Sequence, residues 1–179
     1  MKRILNFILG MIVGVILVSS DFSGVLPSEA VPVPRIQPQE LECLAKTIYF
    51  EARQEPLAGK LAVGLVVLNR TTSLKYPTTV CGVIQQGRYT NSQTAKVATA
   101  NMKACQFSWY CDGHSDTPNE PLAWSQAKEI AAVLLEQKVY DFTDKSTHYH
   151  AQTVHPTWAN SLNRVGSIGG HTFYREAKS

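Results

Sequence analysis

The chain has 179 residues, 44% apolar and 17% charged, a balance that suits one domain with a real hydrophobic core and excludes a disordered chain. A net charge of +3 is too mild for a dedicated nucleic-acid binder, which concentrates basic residues on one face, so no nucleic-acid partner is expected. The same mild excess still favours contact with an anionic polymer.

Lys2 and Arg3 precede "ILNFILGMIVGVILV", Ile4 to Val18, a run broken by Asn6 and two glycines. A positive start followed by an apolar run of this length reads as an export signal. It is shorter than the roughly 20 residues of a comfortable membrane span. Residues 1–20 are therefore expected to be a signal peptide, or a signal anchor holding the protein to the membrane through residues 4–18. Residues 21–38, "DFSGVLPSEAVPVPRIQP", carry four prolines and little periodicity, and read as a linker. The folded domain is expected over residues 39–179, outside the cytoplasm, in the periplasm or cell envelope. Cys43, Cys81, Cys105 and Cys111 are an even set in an exported chain, so two disulfides are expected, with three possible pairings. A structural zinc site is the competing reading, but no close Cys-x-x-Cys pair supports it.

From Gln39 to about Gln54 the apolar residues Leu41, Leu44, Ala45, Ile48 and Ala52 follow helical spacing. Glu55 precedes Pro56, which disfavours helical geometry and should end the helix. At 100° per residue Glu51 lies about 20° from Leu44 around the axis. The carboxyl thus flanks the apolar stripe. It is either a solvated helix edge or an acid held in a cleft. "PLAGKLAVGLVVLNR", Pro56 to Arg70, is apolar on nearly every face and predicts a central helix closed by Asn69-Arg70. Tyr76 to Gln86 reads as a turn leading into a short helix or strand, and the polar Gly87–Ala104 stretch as a surface insertion. "CQFSWYCDG" predicts an extended segment closing in a turn. A third helix is expected from Pro121 to about Tyr140, with Trp124, Ala127, Ile130, Ala131, Leu134, Leu135 and Val139 inward. The tail predicts a long loop with one or two short strands. Helices dominate, with a small β-hairpin, so the fold class is α+β.

The segments "LECLAKTIYFEARQEPLAGKLAVGLVVLNR", "YPTTVCGVIQQ", "CQFSWYCDG", "THYHA", "VHPTWA" and "IGGHTFYR" occur in this order. Together they resemble the SleB/CwlJ-type cell wall hydrolases, especially a four-cysteine branch, over roughly Leu41 to Arg175. The resemblance implies a lysozyme-like fold and attack on peptidoglycan glycan strands. It implies that the glutamate of the "Glu-Ala-Arg" motif, here Glu51, is the catalytic acid. The family's usual glycine after the arginine is Gln54 here. The peptidoglycan-binding domain of spore-cortex members is absent from this sequence, so cortex specificity is not implied.

Cleaving a glycosidic bond needs a proton donor for the leaving oxygen, and a hydrolase normally adds a second carboxylate as base or nucleophile. Glu55, Asp112 and Asp116 are the candidates. A lytic transglycosylase instead lets the substrate's own hydroxyl attack, with one glutamate serving as acid and then base; the resemblance favours that route. Gln106, Ser108 and Trp109 are candidates for one wall of a sugar cleft, and Tyr149 and His150 for another. Phe107 and Trp109 also suit simple core closure. His148, His150 and His155 raise a metal site, but no acidic or cysteine partner sits at a ligand spacing. No cofactor is implied. A monomer acting on peptidoglycan strands is the expectation, with a hydrolytic muramidase or glucosaminidase, or a non-catalytic wall-binding protein, as alternatives.

Overall fold

A computed structural model describes residues 36–87 and 105–177. The expected signal segment and nearly all of the linker lie outside these residues, as does the interior of the polar insertion. Among the described residues no helix is long and apolar enough to cross a membrane.

Helix α1, Pro38–Ala52, starts on a proline at its first position, where a missing N–H costs nothing. It buries Leu44, Ala45, Ile48 and Tyr49. Arg53 and Glu55 close it with backbone bonds to Tyr49 and Ala52. Helix α2, Leu57–Thr71, follows after Pro56 and is enclosed on most of its faces, as its composition predicts. It passes so close to the next long helix that a side chain at Gly64 would collide with Leu134. The short helix α3, Val80–Ile84, is capped twice. The Thr79 hydroxyl accepts from the Gly82 N–H, and the Glu40 carboxylate of α1 accepts from the Val80 N–H at 2.6 Å. A disulfide between Cys43 and Cys81 ties the same two helices.

The insertion leaves and rejoins the domain at one place, because Gly87 bridges Cys105 and the Gln106 N–H donates to the Gln86 carbonyl. The following segment is not extended. Ser108–Tyr110 forms a 3-10 turn, and Cys105 is disulfide-bonded to Cys111 with Cα atoms 6.3 Å apart. Six extended residues would span about 20 Å, so the bridge forces the chain to coil. Helix α4, Pro121–Leu135, ends five residues before Tyr140. Gln137 takes a left-handed conformation (φ 56°), with the Lys138 N–H bonded to Val133 and that of Gln137 to Leu134. This double closure stops the helix without glycine.

The tail supplies three strands, one more than the sequence suggests: β1 His148–Ala151, β2 Asn163–Ile168 and β3 His171–Arg175. They form an antiparallel sheet in the order β1-β3-β2, with a register shift between Arg164 and Gly166. The strands escape helical or long-alternation signals because each is only four to six residues long. The β2–β3 hairpin turns at Gly169 (φ 57°) and Gly170. The sheet packs on α2 through Phe173 against Ala62 and Val66, with Tyr149 and Ile168 at the edge. A larger core joins α1, α2, α3 and α4 with Phe107 and Trp109. The architecture is α+β.

Candidate active site

Glu51 stands in the last turn of α1, half-buried, where its spacing from Leu44 and Ile48 puts it beside the helix's inward stripe. Strand β1 reaches it from the other side. Tyr149 donates its hydroxyl to Glu51 Oε2 at 3.2 Å. The tyrosine is held in turn by edge contact with His171 and by Phe173, its cross-strand partner. Burial, with the neighbouring Glu51 charge, pushes the Tyr149 phenol well above its ordinary range, so it stays a neutral donor.

Burial also raises the Glu51 carboxyl above its ordinary value, opposed by the Tyr149 hydrogen bond and the Arg70 charge. Desolvation is the largest of the three effects, the balance a proton donor working near neutrality would need. Arg70 is 5% exposed at the end of α2. Its Nε donates to the Thr147 carbonyl at 2.7 Å, and its guanidinium lies over the rings of Tyr76 and Phe107. The sequence treats Arg70 as a helix terminator; its place beside the acid was missed. A buried cation opposite a half-buried carboxyl arises from the packing of α1, α2 and β1 together, which no local spacing encodes.

The expected cleft walls are only partly assembled. Trp109 is buried and stacked on Phe50, the residue before Glu51, with ring centroids 4.9 Å apart. It reaches the acid's surroundings as packing, and its Nε1 has no partner among the described residues. Gln106 and Ser108 are exposed on the same turn. Tyr149 and His150 do not form one wall, because successive strand residues point to opposite faces of a sheet. His150 instead bonds the Tyr174 hydroxyl at 3.0 Å and packs on Trp158, which the sequence analysis did not single out. His148, on that same face, also packs on Trp158 and has its pKa lowered by burial and by Arg70. Among the described residues no group of three His, Cys, Asp or Glu side chains is placed to hold a metal ion.

Two of the three candidate second carboxylates, Glu55 and Asp112, have other partners. Glu55 accepts from the Gly170 N–H at 2.7 Å and lies 3.8 Å from His171 Nδ1, so it latches the β2–β3 turn to the α1–α2 junction. A side chain at Gly170 would meet that carboxylate. Asp112 accepts from the His114 N–H two residues on, an ordinary turn bond. Asp116 is raised by burial and by Asp112, against the pull of Lys46. A cavity of about 1040 Å³ is bordered by Leu68, Asn69, Val80, Leu135 and Tyr140, and Glu51 does not line it. A desolvated carboxyl under the influence of a buried cation is the arrangement that marks Glu51 as a candidate.

A family model described as Cell Wall Hydrolase matches residues 54–174. It begins three residues after Glu51. A spore cortex-lytic enzyme of Bacillus cereus is 32% identical over 136 residues, 75% of this chain and 43% of that protein. That of Bacillus subtilis is 44% identical over 45 residues, 25% of this chain and 15% of that protein. The chain thus spans less than half the length of these curated relatives. Among solved structures, the catalytic domain of the germination-specific lytic transglycosylase SleB of Bacillus anthracis superposes with a TM-score of 0.58 at 29% identity. The match covers 79% of this chain and 98% of that one. The catalytic domain of the Bacillus cereus SleB protein gives 0.52 at 28% identity, over 80% and 95% of the two chains.

Proposed function

Since the chain belongs to the cell wall hydrolase family and shares the lysozyme-like fold of its SleB neighbours, we propose that it cleaves peptidoglycan glycan strands as a lytic transglycosylase with Glu51 as acid and then base. The observation that carries this reading is the half-buried Glu51 carboxyl, raised by burial and bonded on one oxygen by Tyr149. Because Oε2 accepts from Tyr149, Oε1 is the oxygen left to carry the transferable proton. That proton goes to the leaving glycosidic oxygen as the bond to the muramic C1 breaks, and the sugar develops oxocarbenium character. The Glu51 carboxylate left behind then takes a proton from the muramic C6 hydroxyl as its oxygen bonds to C1, closing an anhydro ring. Bond broken and bond formed balance without water. The attacking hydroxyl belongs to the same sugar, so orientation is supplied by the substrate.

The occupied state of Glu55 and the turn bond of Asp112 favour this route over hydrolysis, which requires a free second carboxylate at the scissile bond. Gln106 and Ser108 are the polar groups we assign to substrate, flanking the ring of Trp109. Tyr149 orients the acid rather than the sugar. The protein works in the cell envelope as a monomer, exported by residues 1–20, with residues 4–18 as the anchor where the signal is retained.

Digestion of purified sacculi in EDTA, followed by mass spectrometry of the released muropeptides, tests the reaction. Anhydro-muramic ends, one water lighter than reducing ends, are expected. Reducing ends alone would establish hydrolysis and return Glu55, Asp112 and Asp116 to the mechanism. Activity lost in EDTA and restored by zinc would replace it with metal chemistry at the histidines.

A further inference from the structure

Arg70 is an expensive residue to place where it stands. Its guanidinium is buried between the rings of Tyr76 (5.3 Å) and Phe107 (5.4 Å). Its Nη1 is buried with no hydrogen-bond partner among the described residues. Taking a charge out of water and leaving a donor unpaired are both destabilising, and an apolar chain of similar length would pack between the two rings without either penalty. Scaffold needs alone do not account for it. Its hydrogen bond among the described residues is informative. Arg70 Nε holds the carbonyl of Thr147, two residues before Tyr149, whose hydroxyl reaches Glu51. The guanidinium thus fixes the strand that delivers the acid's hydrogen-bond donor.

We propose that Arg70 is a positioning residue of the Glu51 site, setting strand β1 and Tyr149 against the carboxyl and supplying the buried positive charge that lets Glu51 exist as a carboxylate once its proton has left. This rests on the reading of Glu51 as acid and base. Burial favours the protonated resting acid and makes the carboxylate a stronger base, but it also raises the energy of the ionised form that must exist between the two proton transfers. A fixed cation offsets part of that cost, because it lowers the carboxylate's energy while the larger effect of desolvation still keeps the resting carboxyl raised. The groups facing Arg70 are few. Glu51 comes from α1, Tyr76 from the loop after α2, and Tyr149 from β1; His148 also feels its charge. Tyr149 is a neutral phenol, and the charge on Arg70 drives His148 toward the neutral form. Because Arg70 acts on His148 as well as on Glu51, the titration of the Glu51 carboxyl itself, beside the activity profile, is the readout that isolates the coupling of Arg70 to Glu51.

The test is Arg70→Met beside Arg70→Lys, each read by the pH profile of kcat/KM and by ¹³C titration of the Glu51 carboxyl. In Arg70→Met we expect the alkaline limb and the carboxyl titration to move up by about one pH unit, a tenfold change in the protonation equilibrium. We expect kcat to fall about tenfold with KM within twofold, because a buried residue touches no sugar. Arg70→Lys restores the charge, and both readouts should stay within half a unit of wild type. A folded Arg70→Met whose carboxyl titration is unmoved, or which raises KM alone, overturns the proposal. If Arg70→Met does not fold, Arg70→Lys decides: a shift larger than half a unit overturns the proposal, and a smaller one upholds it. Should the carboxyl titration move while the activity limb does not, the coupling stands and the assignment of Glu51 as the acid falls.

Discussion

Glu51 carries two opposite instructions in one side chain, and both are measurable. Its carboxyl is raised by burial, with Tyr149 and Arg70 pulling the other way. Between the unfolded and the folded pKa the native state binds the extra proton, so stability falls as pH rises through that window. The cost of carrying the ionised form is complete above the folded pKa and vanishes below the unfolded one. Glu51→Gln should therefore lose activity by at least 10²–10⁴-fold, the usual contribution of general acid catalysis, because the amide keeps the shape and lacks the proton. The same variant should be more stable than wild type at neutral pH, and that gain should fade on acidification. Turnover of sacculi and urea denaturation at pH 7 and pH 4 measure the two effects. More than a tenth of wild-type activity would refute the acid assignment, and a stability gain that grows on acidification would refute the direction of the shift.

At the scale of the elements, legibility followed the length of the signal. The helices α1, α2 and α4 each repeat an apolar stripe over fifteen residues, and sequence placed all three. Sequence also placed Glu51 on the edge of the inward stripe, where the structure has it. Boundaries set by the backbone rather than by periodicity were less visible. The expected helix over Pro121–Tyr140 stops at Leu135 because Gln137 turns left-handed, and no glycine marks the place. The Ser108–Tyr110 turn was read as extended because alternation of Phe107 and Trp109 mimics a strand, while the constraint that coils it is the bridge six residues long. Arg70 was invisible as a site residue for a related reason: its partners come from α1 and β1 and from residues 76 and 107. Gln137 offers a direct test. A left-handed conformation costs a side-chain-bearing residue about 1–2 kcal/mol, and glycine gives back about 0.5–1 kcal/mol of that in lost unfolded-chain freedom. Gln137→Gly should then stabilise the protein by about 0.5–1 kcal/mol in urea denaturation. A loss of stability would mean that contacts of the glutamine side chain outweigh the backbone strain.

For the whole molecule, the two disulfides divide the labour between stability and site. Thiol labelling of the denatured, unreduced protein should find no free cysteine, since Cys43 pairs with Cys81 and Cys105 with Cys111. The first bridge spans 38 residues and joins α1 to α3 across the base of the core. The second spans six and closes one turn. Loop-closure entropy alone assigns about 4 kcal/mol to the long loop and about 2 kcal/mol to the short one. Their consequences for activity should run the other way. The short loop carries Phe107, which lies over Arg70, and Trp109, which stacks on Phe50 next to Glu51. Opening it frees both aromatics that support the acid, whereas opening the long bridge leaves Glu40 still capping α3 and touches nothing beside Glu51. Paired Cys→Ala replacements should separate the two. Removing Cys43 and Cys81 should cost more stability in urea while the folded fraction keeps near-wild-type turnover. Removing Cys105 and Cys111 should cost less stability and lower turnover about tenfold or more, with the alkaline limb of the pH profile shifting as Arg70 loosens. If the short bridge proves the more stabilising, or its loss leaves turnover and pH profile unchanged, then Phe107 and Trp109 serve the core alone and the acid is held by Tyr149 and Arg70 without them.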